Sequence, residues 1–178
     1  MEKNIARIFA KEKIIQIQSR YEKENSIRES IRNLLANSKK IISYRADQFE
    51  VNLDFLEDFA HLEIYYPKVI SIQNKTLVFI RPVTWEIGAY SIPEPVGERI
   101  IKPTEADFIL IPALGYNFQG FRLGRGAGFY DRAMENIDRE KIIGFSFGEL
   151  FSIDFTPSIY DLRVSKLILE KEILNFEE

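Results

Sequence analysis

Apolar residues follow two rhythms along this chain. Ile5, Ile8, Phe9 and Ile15 recur at helical spacing and predict an amphipathic helix over residues 2–20 with that stripe inward. Lys3, Arg7 and Lys11 fall at four-residue steps on another face. Residues 21–25 are polar and read as a break. Ser26 and Glu29 are spaced as a capping box, and Ile27, Ile31, Leu34 and Leu35 give the next helix its apolar face. The second rhythm is a set of short apolar runs at 40–44, 62–67, 76–80, 108–112, 141–147 and 166–169, each predicting a strand. Asn74 and Lys75 form the turn before the third run. Between strands lie two shorter helical patterns, one with Leu53, Leu56, Phe59 and Ala60 inward and one over 130–137. Strands alternating with helices predict an α/β fold, a three-layer sandwich with a mainly parallel sheet.

Composition narrows the function classes. A chain of 178 residues reads as one domain, 1–178, with a sizeable core. A net charge of −3 argues against a general nucleic-acid binder. The absence of cysteine excludes disulfides and thiol chemistry, and one histidine, His61, makes a His-rich metal cluster or a Ser-His triad a poor fit. His61 reads as structural. No run is long and apolar enough to span a membrane, and the charged start lacks a secretory apolar core, so the cytoplasm is the expected compartment. A monomer is the expected form.

The candidate chemistry is concentrated at 115–132. Glycines alternate at Gly124, Gly126 and Gly128, with Arg122 and Arg125 beside them, between the apolar run at 108–112 and the helix at 130–137. Glycines let backbone N–H groups wrap an anion, a helix start adds favourable partial charge, and guanidinium forks suit phosphate. No Gly-Lys-Ser/Thr follows, so this is not a P-loop. The third glycine of a dinucleotide fingerprint would fall at Phe129 or Asp131, so that motif is not met either. The local pattern is consistent with a nucleotide-phosphate site or with a plain glycine turn.

The longer string resembles the 5-formyltetrahydrofolate cyclo-ligase family. Pro112, Gly115, Gly120, Arg122, Leu123, Gly124, Gly126, Gly128, Phe129, Tyr130 and Asp131 match its pattern. Weaker likeness extends elsewhere: Lys3 and Arg7 at the family's N-terminal spacing, Glu50 at the end of a loop, residues 90–95 with two prolines, and Asp161 after Pro157. Arg45, Val69, Ala127 and Ser165 depart from the family; some members carry Lys where Ala127 stands.

The resemblance implies a Rossmann-like sandwich, similar to the phosphosugar isomerase and coenzyme A transferase folds. It also implies ATP-dependent cyclisation of 5-formyltetrahydrofolate to 5,10-methenyltetrahydrofolate, with ATP and Mg²⁺ as cofactors. Lys3, Arg7, Arg122, Leu123, Gly124, Arg125, Gly126, Ala127, Gly128, Phe129 and Tyr130 would then bind ATP. Arg122, Arg125 and Tyr130 would be catalytic, and Arg125, between two glycines, is expected to matter little for stability. Arg45, Glu50, Tyr90 and Tyr130 would contact folate, and Asp131 and Asp161 would hold Mg²⁺. Without the resemblance, Asp47 and Glu50 read equally well as a capping box, and Asp131 as an acid in a helix's first turn. Two alternatives stay open: a dinucleotide-binding oxidoreductase with Glu149 on the ribose, and a folate- or nucleotide-binding module without turnover.

Overall fold

Adjacent apolar residues in the short runs face opposite ways, and this builds the centre of the molecule. The computed structural model describes residues 1–176. Five parallel strands carry the core: β1 (Lys40–Ile42), β2 (Glu63–Ser71), β7 (Phe108–Leu110), β10 (Ile142–Phe145) and β11 (Lys166–Ile168). Ile41, Leu110, Ile143 and Ile168 enter one core, while Ile42, Ile109, Ile142 and Leu167 enter the other. All eight are essentially fully buried, as expected for a parallel sheet covered on both faces.

Antiparallel strands close the edges. β3 (Thr76–Ile80) and β6 (Ile100–Ile101) follow β2 on one side, and β12 (Ile173–Asn175) follows β11 on the other. The order across the sheet is β12-β11-β10-β7-β1-β2-β3-β6. Two hairpins stand apart, β4 (Thr84–Ile87) with β5 (Pro93–Val96), and β8 (Gly115–Tyr116) with β9 (Arg122–Leu123).

Helices α1 (Lys3–Ile15) and α2 (Arg20–Leu34) cover one face, and α3 (Phe129–Ala133) lies on the other. The three-layer expectation holds, but local expectations need correction. α2 begins at Arg20, so residues 21–25 are helical, and the Ser26 hydroxyl donates to Glu22 O inside the helix rather than capping it. On α1 the buried positions are Ala6, Ala10 and Ile14, whereas Ile5, Ile8, Phe9 and Ile15 face outward. Small residues let α1 approach the β8–β9 hairpin closely, and that approach turns Lys3 and Arg7 toward the glycine loop. Asp47 and Glu50 bond each other's turn without opening a helix; the helical turn in this region is Asp54–Asp58, and Ala60 is exposed.

Candidate functional site: two cavities that share a glycine loop

β7 ends at Leu110, and the chain returns through the β8–β9 hairpin to the loop at 124–128. Gly126 and Gly128 have φ of 101° and 75°, the left-handed region that side chains with a Cβ adopt only with strain. Each of the three glycines lies against a cation from a different element. A Cβ at Gly124 would meet the Arg122 guanidinium at 2.5 Å, at Gly126 the Arg7 guanidinium at 3.2 Å, and at Gly128 the Lys75 ammonium at 3.2 Å. The three glycines therefore present backbone, not side chains, to three cations. α3 is only five residues long, shorter than the expected helix, so charge here comes from these side chains more than from a helix dipole.

The loop forms the wall between two cavities. On one side is a cleft of about 850 Å³ whose lining holds seven basic and three acidic side chains. Lys3 pairs there with Asp161, whose Oδ2 also accepts from Ser158 N at 2.6 Å. Arg7 Nε donates to Gly124 O at 2.8 Å and its Nη1 to Asn4 Oδ1 at 2.6 Å, which ties α1 to the loop. Arg122 is buried, donates to Pro112 O at 2.8 Å and lies 3.4 Å from Asp131 Oδ2. Asp131 Oδ1 accepts from Leu162 N at 3.2 Å. Leu123 is buried beneath the loop.

On the other side is a pocket of about 460 Å³ walled largely by apolar and aromatic groups. Tyr44, Tyr66, Phe129 and Tyr130 contribute rings, and Ala127 lies on its rim. Tyr90 closes one end, edge-on to Phe129 at 6.1 Å; it is exposed, with φ of 59°. The stretch at 90–95 is not a plain loop: Pro93–Val96 is strand β5. Two buried carboxylates reach this pocket. Glu50 Oε1 takes Arg125 Nε at 3.1 Å and Nη2 at 3.0 Å, and Glu94 Oε1 accepts from Val69 N at 3.1 Å. Arg125 also pairs with Asp47 at 2.6 Å. It thus joins the glycine loop to the pocket's acids and is not the free loop cation expected from its glycine neighbours.

Burial raises the Glu50 carboxyl above the ordinary range, Arg125 pulls it back and Asp47 pushes it up again. Burial also raises the Tyr130 phenol far above its usual value, and the nearby Glu50 charge adds to this. Tyr130 therefore stays protonated across physiological pH, and its buried hydroxyl has no hydrogen-bond partner among the described residues. The same holds for Arg122 Nε. Unpaired buried polar atoms are costly and are a mark of ligand sites. Arg122 lines both cavities, and Tyr130 lines the aromatic pocket.

Other expected groups lie elsewhere or are committed to structure. Arg45 lines the pocket but pairs with Asp54 at 2.8 Å and Glu57 at 2.5 Å, and lies 4.3 Å from the centre of the Trp85 ring. His61 is exposed against Phe59. Glu149 pairs with Lys23 on α2; burial raises its carboxyl, but the Lys23 hydrogen bond and charge, a backbone N–H and the Lys13 charge together hold it low. It lines neither cavity. Sequence reading missed Lys75, Glu94 and Tyr44 as site residues: Lys75 was visible only as a turn residue, Tyr44 as the end of a strand and Glu94 as part of the two-proline stretch.

A parallel α/β sheet carrying a basic, glycine-walled cleft beside an aromatic pocket offers room for an anionic group next to a flat, partly apolar one. A family model described as the 5-formyltetrahydrofolate cyclo-ligase family matches residues 5–147. A 5-formyltetrahydrofolate cyclo-ligase of Mycoplasma pneumoniae is 31% identical over 137 residues, covering 73% of this chain and 72% of that protein. Among solved structures, a 5,10-methenyltetrahydrofolate synthetase from M. pneumoniae superposes with a TM-score of 0.78 at 26% identity, covering 96% of this chain and 99% of that one. The NMR structure of the Aquifex aeolicus 5,10-methenyltetrahydrofolate synthetase gives 0.84 at 25% identity, covering 100% and 94%. The chain belongs to the 5-formyltetrahydrofolate cyclo-ligase family.

Proposed function

We propose that this chain cyclises 5-formyltetrahydrofolate to 5,10-methenyltetrahydrofolate with ATP, as a single cytoplasmic domain working as a monomer. The observation that carries the reading is the shared wall: Arg122, Gly124 and Gly128 line both the basic cleft and the aromatic pocket. A phosphoryl group held at that wall can pass between ligands in the two cavities.

The chemistry needs such an arrangement. A formamide carbonyl is a weak electrophile, and its oxygen is a poor leaving group. The formyl oxygen attacks the terminal phosphorus of ATP and ADP departs. N10 then attacks the activated carbon, the C–O bond breaks with phosphate taking its electrons, and N10 loses its proton. Catalysis is positioning and charge neutralisation rather than covalent participation by the protein. Arg122 lies at the wall to stabilise the charge on the transferring group. Lys3 and Arg7 hold the nucleotide from α1, with Leu123 to Tyr130 as the loop beneath it. Glu50 and Tyr90 position folate, Arg125 holds Glu50 in place, and the unpaired Tyr130 hydroxyl donates at the junction.

Mg²⁺ would be held by Asp131 and Asp161, which line the same cleft and keep free carboxylate lone pairs. Two carboxylates are what Mg²⁺ commonly takes from a protein when phosphate and water complete its shell. When bound, the ion neutralises phosphate charge. The direct test is the near-ultraviolet absorption of the methenyl product, expected only when Mg-ATP and 5-formyltetrahydrofolate are both present. Absence of product with folded protein and active substrates overturns the reading.

A further inference from the structure

We infer that Lys75, at the tip of the β2–β3 hairpin, is a further phosphate-binding cation of the nucleotide cleft; this rests on the reading of that cleft given above. The glycine loop carries no lysine, and Ala127 leaves one of its positions without charge. Arg7 and Arg122 face Gly126 and Gly124 from α1 and β9, and the Lys75 ammonium occupies the corresponding place at Gly128, 3.2 Å from where a Cβ would stand. The three cations follow the loop residue by residue.

The fold brings Lys75 there on purpose-shaped backbone. α3, which the loop opens, packs against β3, so the turn that precedes β3 lies over Gly128. Lys75 closes that turn, with its N–H donating to Ile72 O at 3.2 Å and φ of 52°, left-handed backbone that a lysine adopts with strain. Glycine would relieve the strain, yet the position holds a long cation. Arg7, Arg122 and Lys3 each have an acceptor in place. The Lys75 ammonium has none among the described residues, although Asp131 and Asp161 line the same cleft. Lys75 is exposed, and its ammonium stands beside Gly128 on the side of the loop that lines the cleft, where a phosphate cradled by the loop would lie. The hairpin thereby adds a third structural element to the nucleotide site.

The test is calorimetric titration with a Mg-bound non-hydrolysable ATP analogue and, separately, with 5-formyltetrahydrofolate. Lys75→Gln and Lys75→Gly remove the charge, and Lys75→Gly also eases the backbone, so a lost fold cannot account for its effect. Both are expected to bind the analogue about ten- to a hundredfold more weakly, the worth of one hydrogen bond to a charged group. Lys75→Arg should stay within about threefold, since it keeps the charge. Folate affinity and melting temperature should not fall. Parent-like analogue affinity in the Gln and Gly variants overturns the role of Lys75 and leaves the nucleotide site standing. Equal weakening of analogue and folate also overturns it, by showing a general effect on the fold. A parent that binds no analogue overturns the cleft reading itself, and the Lys75 assignment with it.

Discussion

Replacing Arg125 with alanine should cost stability as well as turnover, and the stability loss should depend on pH. Arg125 places two N–H groups on one oxygen of buried Glu50, at 3.0 and 3.1 Å. A hydrogen bond to a charged group contributes about 1.5–3 kcal/mol, and two on one oxygen do not add. The guanidinium is 36% exposed, so solvent screening reduces this to about 2 kcal/mol. The Asp47 contact is more exposed and adds about 0–1 kcal/mol. The pH dependence follows from Glu50. Its carboxyl is raised by folding, so it binds a proton more tightly folded than unfolded. Such a group penalises the fold above its folded pKa, and the penalty is relieved as pH falls through that value. Without Arg125 the carboxyl rises further and the penalty at neutral pH grows. Urea unfolding at pH 7 should show Arg125→Ala about 2 kcal/mol less stable than the parent. The gap should narrow in acid, and should nearly close at pH 7 in a Glu50→Gln background. An equal gap at both pH values, or in both backgrounds, would refute the coupling; no gap at all would return Arg125 to a free loop cation.

Asp131→Asn keeps an acceptor for Leu162 N but removes a charged oxygen donor, so turnover should need more Mg²⁺ while the fold persists; unchanged Mg²⁺ dependence would leave Asp131 as an anchor for 162 and Arg122 alone. Asp107 accepts from Lys39 N at 2.7 Å and Lys40 N at 2.9 Å, and these bonds hold its carboxyl below the ordinary range. Its stabilisation is present above the unfolded value and lost as pH falls through the depressed folded one, so Asp107→Asn should cost about 1 kcal/mol at pH 7, discounted for exposure, and little in strong acid. On α1, Ala10→Leu should overpack a buried position and cost about 1–3 kcal/mol, whereas Ile5→Gln should change stability by less than about 0.5 kcal/mol; the opposite ranking in thermal melts would mean that the helix packs on its other face.

The central sheet was legible in the chain because a buried parallel strand needs consecutive apolar residues, and Ile41-Ile42, Ile109-Leu110 and Ile142-Ile143 supply them. The glycine loop was legible for a similar reason: left-handed backbone at Gly126 and Gly128 demands glycine, and that demand is local. Hairpins with weak patterns were not. Gly115–Tyr116 pairs with Arg122–Leu123, and Thr84–Ile87 with Pro93–Val96, from only six to twelve residues away, but strands of two to four residues holding glycine, arginine or proline carry no apolar alternation that marks them as strands. The face of α1 was misread because apolar spacing alone takes the larger side chains as the buried ones. Only packing decides that a close approach needs Ala6 and Ala10, and that Ile5 and Phe9 then point outward. The partners of the charges were likewise decided in three dimensions. Lys3 meets Asp161, Arg125 meets Glu50 and Lys75 meets Gly128 across separations of 158, 75 and 53 residues. A sequence specifies backbone conformation through local sterics, but long-range electrostatics depend on distances that only the folded sheet sets.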